Sequence, residues 1–250
     1  MDATQYNKMG EGYKNLVQTP LRTFVHDATF NALVPELIRQ RQIPLNGALD
    51  LACGEGRYTR QLKQMGFVKV VGTDISEKMI QLAREQELAS PLGIDYSIGD
   101  AGTGIKWGEF DLATAWFLLH YGKSKEHLED MCATVAGNLK DRGVFVAYQS
   151  NPFASQTRDC IEYGEVRKVI GREREGADIE VTLINEDKKT QFIRKLWKPK
   201  TYEAALRKAG FKSVKWIDPI ISTQGIEERG EEFWRKYKEE PSHKVIVCVK

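Results

Sequence analysis

The stretch Ala48-Leu49-Asp50-Leu51-Ala52-Cys53-Gly54-Glu55-Gly56-Arg57-Tyr58 constrains this chain more than any other. An apolar run carrying an acidic residue breaks into a turn of small residues. Tyr58, Leu62 and Met65 follow at i, i+4 and i+7, the spacing of a buried helix face. The pattern predicts strand, tight loop and helix. Gly54 and Gly56 lack a Cβ, so the backbone reaches conformations closed to other residues and a ligand can approach it closely. Unpaired amides at the helix start suit a carboxylate or phosphate. A glycine pair alone fits an ordinary turn equally well, so the segments downstream decide.

Lys69-Val70-Val71-Gly72-Thr73-Asp74-Ile75 reads as a second buried strand ending in a carboxylate. Asp74 comes 20 residues after Gly54, the interval at which a doubly wound fold sets an acid against a ribose hydroxyl pair. Dinucleotide enzymes share that interval, but their loop needs a third small residue three positions after the second glycine, where this chain has Thr59. A third acidic turn, Ser97-Ile98-Gly99-Asp100-Ala101, follows another short strand.

With these residues the chain resembles the class I S-adenosylmethionine-dependent methyltransferases, strongly over residues 45–150 and by element order beyond them. The resemblance implies that Ala52, Gly54 and Gly56 pass under the methionine moiety and that Asp74 holds both ribose hydroxyls. It also implies that Ile75 and Met79 pack on the adenine, that Asp100 accepts from its amino group and that the Ala101 amide donates to the ring. Ala52 stands where the family usually has a glycine. Trp116 and Phe117 are candidate rings beside the adenine or a flat substrate. In relatives of this kind an N-terminal aromatic segment closes over the cofactor, which would make residues 1–20 a lid with Tyr13 on the cofactor and Tyr6 on the substrate; a frayed tail is the equal alternative.

The implied fold is α/β, a Rossmann-like doubly wound seven-stranded sheet with a small antiparallel hairpin insertion. At 250 residues the chain suits one methyltransferase domain, residues 1–250. The helix predicted from Leu21 to Arg41 carries Phe30, Leu33, Val34, Leu37 and Ile38 on one stripe, with Pro35 kinking it or lying in its first turn. Ser76 and Ser124 are N-cap candidates for the helices after the second and fourth strands, and Gly143 is the expected stop of the latter. Residues 151–200 break the alternation. Within them Ile179–Leu183 and Gln191–Trp197 alternate about the turn Asn185-Glu186-Asp187-Lys188, a hairpin on the substrate side. Glu227–Glu240 reads as a charged, solvated surface helix bearing Phe233, Trp234 and Tyr237.

Lys and Arg number 37 against 35 Asp and Glu, a formal charge of +2 without a like-charge block, which argues against a nucleic-acid partner. The four cysteines are far apart and form no metal-ligand pairs, so no metal is expected and buried, reduced thiols are. Without an apolar leader or a run of membrane-spanning length, the chain is expected to be cytoplasmic and free of membrane contacts. Methyl transfer from a sulfonium is an in-line displacement that needs a positioned nucleophile more than a covalent partner, and a base is optional. His120, at the mouth of the sheet, is the candidate base, with a backbone-bonding histidine as the alternative. Tyr121, Tyr148 and Asn151 are candidates for the substrate.

The expected function is methyl transfer from S-adenosyl-L-methionine to a nitrogen or oxygen of a small molecule. The Trp-Phe-Leu-Leu-His-Tyr stretch and the inserted hairpin are similar to bacterial natural-product enzymes of the toxoflavin N-methyltransferase type. The alternatives are a protein or RNA methyltransferase of the same fold and an inactive cofactor or dinucleotide binder. Oligomeric state is not written in the sequence.

Overall fold

The computed structural model describes residues 19–185 and 188–250. Five parallel strands form the centre of one sheet: β1 (Gly47–Leu51), β2 (Lys69–Asp74), β3 (Asp95–Ile98), β4 (Phe110–Trp116) and β5 (Leu139–Ser150). Every residue of β1 and β4 is buried, which explains why they are apolar apart from Asp50, Asp111 and Thr114. β10 (Ser213–Ile217) and β11 (His243–Val249) complete the sheet in the order β10-β11-β5-β4-β1-β2-β3, with β11 antiparallel to both neighbours. The expected doubly wound, seven-stranded fold is therefore present.

Helices cover both faces. α1 (Asp27–Arg41), α2 (Arg57–Gln64) and α3 (Glu77–Ala89) lie on one face, where Phe30, Leu62 and Ile80 meet Val146 and Val247. α4 (Lys125–Gly137) and α5 (Pro199–Lys208) lie on the other, where Leu128, Val135 and Leu206 meet Leu49, Phe145 and Ile246. The Ser76 and Ser124 hydroxyls accept from the amides of Met79 and His127, the capping bonds the sequence suggests.

Two helix boundaries depart from expectation. α1 is preceded by a π-helical turn at Arg22–His26 and runs on through Pro35 to Arg41. Pro35 and Asn31, whose carbonyl loses its partner there, are both exposed, so the gap in the ladder falls on the wet side. α4 ends at Gly137 rather than at Gly143. The stop is Asn138, buried, whose side chain accepts from the Trp107 amide at 2.6 Å and donates to the Ile105 and Thr134 carbonyls. Gly143 lies inside β5, next to the left-handed Arg142.

The insertion is larger than a hairpin. β6 (Arg158–Cys160), β7 (Glu165–Val169), β8 (Asp178–Asn185) and β9 (Lys188–Lys195) form a separate antiparallel sheet, whose β8–β9 pair is the hairpin read from the sequence. The register puts Arg167, Val181 and Phe192 in one row and Val169, Ile179 and Arg194 in the next. Alternation therefore brings Glu165, Arg167 and Arg194 to one face.

The charged segment near the C-terminus is two helices, α6 (Thr223–Arg229) and α7 (Glu231–Glu239), separated at Gly230 with φ +80°. It is not a solvated helix. Trp234 and Tyr237 are buried with Leu21, Phe24, Cys160 and Tyr163, and the Trp234 indole donates to the Gly225 carbonyl at 2.8 Å. Among the described residues no helix is long and apolar enough to cross a membrane, and no cluster of side chains has the make-up of a metal site. All four cysteines are buried free thiols.

Candidate active site

The glycine turn lies at the carboxyl end of β1. Its backbone is left-handed at Ala52, Gly54 and Gly56, with φ of +54°, +56° and +88°. A Cβ added to Gly54 would meet nothing within 4 Å, so open space adjoins the turn. A Cβ on Gly56 would run into the Tyr96 ring, so this glycine is required by packing. Below the turn, Asp50 accepts from the hydroxyls of Thr114 at 2.8 Å and Thr59 at 2.7 Å. Burial pushes its carboxyl up to about 6 against the pull of these bonds, and nearby Asp74 adds to the rise.

Asp74 ends β2 with both oxygens turned to the loop, Oδ2 accepting from the Gly54 amide and Oδ1 from the Ser76 amide, each at 2.9 Å. Burial raises its pKa, and these amides together with that of Ile75 hold it down in part. The carboxylate keeps acceptor capacity beyond these amides for a hydroxyl. Ile75 is half-buried and Met79 is buried in the first turns of α3. Asp100, half-buried after β3, accepts from the Gly102 amide at 2.8 Å, and Ala101 is buried beside it. Three acids and the turn thus gather at one edge of the sheet, where such folds take ligands. The donor and acceptor set fits a nucleoside with a charged amino-acid tail.

A cavity opens beside this edge, between the carboxyl ends of β1 and β4 and the inner face of the inserted sheet. Tyr58, Trp116, Phe117, Tyr121, Tyr163 and Phe192 give it an aromatic lining, and Ala52 forms part of its border. The Trp116 ring stacks on Tyr148 at 5.2 Å. Phe117 has φ +67°, a strained conformation for a large residue, held by its amide donating to the Tyr148 carbonyl at 2.7 Å. Arg57 makes a two-pronged ion pair with Asp27, which also accepts from the Tyr58 hydroxyl, and Arg22 lies 3.7 Å from Glu55. Both arginines thus have protein carboxylates as partners.

His120 lines the cavity and is buried. Burial, with Arg194 and His243 nearby, lowers its pKa well below the usual histidine range, so the ring is neutral at pH 7. Its Nδ1 accepts from the Ser150 amide at 3.5 Å, a long bond that matches the backbone-bonding alternative. In a neutral ring with Nδ1 accepting, Nε2 carries the proton and is a donor.

Among the residues expected to contact substrate, Tyr121 lines the cavity, whereas Tyr148 and Asn151 do not. Tyr148 is fully buried between Trp116 and His243. Asn151 ties two loops together, donating to the Pro241 carbonyl at 2.8 Å and accepting from the Phe153 amide at 2.9 Å. Neither side chain reaches the cavity, where the sequence placed both. Tyr6, Tyr13 and most of the expected lid lie outside the described residues. Sequence reasoning missed His26, Glu165, Phe192, Arg194 and His243, all on the cavity wall. The alternation of Phe192 with Arg194 along β9 was the available signal for two of them.

Residues 48–143 match a methyltransferase domain family. Over that segment, which is less than half of the chain, the sequence is similar to a methyltransferase domain. The chain is similar in fold to a solved S-adenosylmethionine-dependent methyltransferase from Clostridium acetobutylicum, at 16% identity and a TM-score of 0.68 over 98% of each chain. It is also similar to an S-adenosylmethionine-bound amino pentose methyltransferase of calicheamicin biosynthesis from Micromonospora echinaspora, at 16% identity and a TM-score of 0.62, over 96% of this chain and 94% of that one. Among curated relatives, an uncharacterised Haemophilus influenzae protein is 25% identical over 62% of this chain and 59% of its own length. A ubiquinone biosynthesis O-methyltransferase from Azoarcus sp. is 31% identical over 35% of this chain and 38% of its own length. The chain thus spans less than two thirds of these curated relatives. The expected kinship, fold class and cofactor, S-adenosyl-L-methionine, agree with these findings.

Proposed function

We propose that this protein transfers the methyl group of S-adenosyl-L-methionine to a nitrogen or oxygen of a small molecule held under the inserted sheet. The observation that carries this reading is the cavity itself: it begins at Ala52 beside the glycine turn, is lined by rings and is roofed by β7, β8 and β9. A roofed aromatic recess suits a flat small acceptor, whereas a protein or RNA strand needs an open groove. Relatives described as amino pentose and ubiquinone-biosynthesis methyltransferases support a small acceptor.

In this reading the cofactor supplies an electrophilic methyl carbon on a sulfonium, and the chain positions both partners. Asp74 takes the ribose hydroxyls, Ala52, Gly54 and Gly56 flank the methionine end, and Asp100 with the Ala101 amide recognises the adenine beside Ile75 and Met79. Trp116 and Phe117 separate the cofactor edge from the acceptor, with Tyr121 on the acceptor side. His120 orients the acceptor through its Nε2–H instead of removing a proton. Residues 151–200 form the substrate side of a single domain.

The test is to incubate the purified chain with methyl-labelled S-adenosyl-L-methionine and, separately, a low-mass metabolite filtrate, a protein fraction and RNA. Label in the metabolite arm is expected, and label in either macromolecular arm instead overturns the acceptor class. In parallel, S-adenosylhomocysteine should raise the melting temperature in a concentration-dependent way and NAD should not. Asp74→Ala should weaken S-adenosylhomocysteine by about 1–3 kcal/mol, the scale of a lost charged hydrogen bond, and undiminished affinity would remove Asp74 from the ribose site.

A further inference from the structure

The wall of the cavity opposite the glycine turn carries charge that the described residues do not balance. Glu165, Arg167 and Arg194 share the inner face of the inserted sheet and are 5%, 2% and 3% exposed. Arg167 Nε lies 3.1 Å from Glu165 Oε1, close enough for an ion pair although the N–H is not aligned as a hydrogen bond. The other Glu165 oxygen lies 3.6 Å from His243 Nε2. Arg194, which lines the cavity, has one hydrogen bond, from Nη2 to Gln156 Oε1 at 3.1 Å, and its Nε has no partner among the described residues. One carboxylate thus faces two guanidinium groups.

Among the described residues the other titratable groups here do not supply the missing charge. Tyr121 and Tyr202 lie near Arg194, and burial pushes the Tyr202 hydroxyl up, so Tyr202 faces it as a phenol. His120 and His243 are neutral, lowered first by burial and then by positive neighbours, Arg194 among them. Burial and the repulsion of Arg167 bring Arg194 itself down to about 10, so it remains protonated at pH 7. A buried guanidinium without its own carboxylate is unfavourable unless something else neutralises it. A cavity-facing one is positioned to meet that charge on a ligand, and the guanidinium fork matches a carboxylate in two places.

We propose that the methyl acceptor is an aromatic acid whose carboxylate is held by Arg194, with its ring packed against the edge formed by Tyr121 and Phe192. This deepens the small-molecule reading above and rests on it. The Tyr121 and Phe192 centroids are 6.4 Å apart on the same wall as Arg194, so the apolar and charged contacts are adjacent. Arg167 stands behind this wall and pairs with Glu165, which shares the wall with Arg194.

The experiment is calorimetric titration of the chain, saturated with S-adenosylhomocysteine, with benzoate, its neutral isostere benzamide and inorganic phosphate. Benzoate should bind at least about ten-fold tighter than benzamide, the scale of a charged hydrogen bond over a neutral one. Arg194→Gln should abolish that preference without changing the affinity for S-adenosylhomocysteine. If Arg194→Gln does not fold, Arg194→Lys serves: it keeps the charge but loses the fork, and should weaken benzoate while keeping it ahead of benzamide. Equal binding of benzoate and benzamide, absence of benzoate binding, or a preference indifferent to both variants overturns the proposal. Phosphate binding as tightly as benzoate marks an inorganic-anion site and also overturns it. Failure of S-adenosylhomocysteine to bind at the saturation step is separate, since it refutes the methyltransferase reading before Arg194 is tested.

Discussion

The packing of Gly56 allows a quantitative test of the glycine turn. In Gly56→Ala the new Cβ would fall on the Tyr96 hydroxyl and lie 2.9 Å from its Cζ. The ring cannot simply retreat, because it also packs against Gly72, where a Cβ would stand 2.8 Å from Cδ1 and Cε1. Two penalties add: about 1–3 kcal/mol for alanine at φ +88° and about 1–3 kcal/mol for the overpacked core, together roughly 2–6 kcal/mol. Tyr96→Phe removes the atom that is struck first. That hydroxyl is buried without a hydrogen-bond partner, so its loss alone should be neutral or slightly stabilising. The double variant should then recover about 1–2 kcal/mol of the loss, leaving the backbone strain in place. Urea unfolding of the four proteins gives the cycle directly. Additivity within about 0.5 kcal/mol, or a Gly56→Ala loss below about 1 kcal/mol, would show that the turn is not braced on Tyr96.

Three further outcomes follow from buried groups. Asp50 titrates near 6 when folded against 3.8 as an ordinary carboxyl, so the unfolded chain ionises first and stability falls by up to about 3 kcal/mol as pH rises from about 4 to about 6; Asp50→Asn should remove this slope in urea titrations at several pH values. Trp234→Ala should cost about 3–5 kcal/mol and lower the melting temperature, whereas a surface tryptophan would cost under about 0.5 kcal/mol. Ala52→Gly relieves a left-handed alanine and should raise stability by up to about 1 kcal/mol in the same urea assay, with a loss showing that the methyl group packs usefully.

The central sheet was legible because its signals are local. Buried strands are written as continuous apolar runs, Ser76 and Ser124 precede the helices they cap, and the acids at the ends of β2 and β3 are fixed by spacing alone. The inserted sheet was only half legible. Its β8–β9 hairpin alternates normally, but β7 turns Glu165 and Arg167 inward, so a rule that sends charges to solvent hides the strand. Trp234 and Tyr237 were read as exposed for a related reason: α7 is charged along most of its length, and the groups that bury its rings, Leu21 and Phe24, lie at the other end of the chain. The end of α4 was misplaced because Asn138 stops the helix with four side-chain hydrogen bonds, a tertiary arrangement that the glycine-stop rule does not contain.

These failures coincide in space with the part of the molecule that would choose the acceptor. The cofactor edge is built from strand ends whose positions follow from the sheet itself, so one short sequence pattern carries it. The facing wall is built from Glu165, Arg194 and Phe192 on the insertion, His243 on the last strand and His26 before the first helix. No local periodicity links those segments. Substitution along β7 to β9 should therefore change which molecule is methylated while cofactor affinity stays constant, because none of those residues contacts Gly54, Asp74 or Asp100 through the hydrogen bonds that order the turn. The separation has a physical basis: the parallel sheet is rigid and common to the fold, whereas an antiparallel insertion with one face over a cavity can exchange inward side chains without disturbing its own ladder.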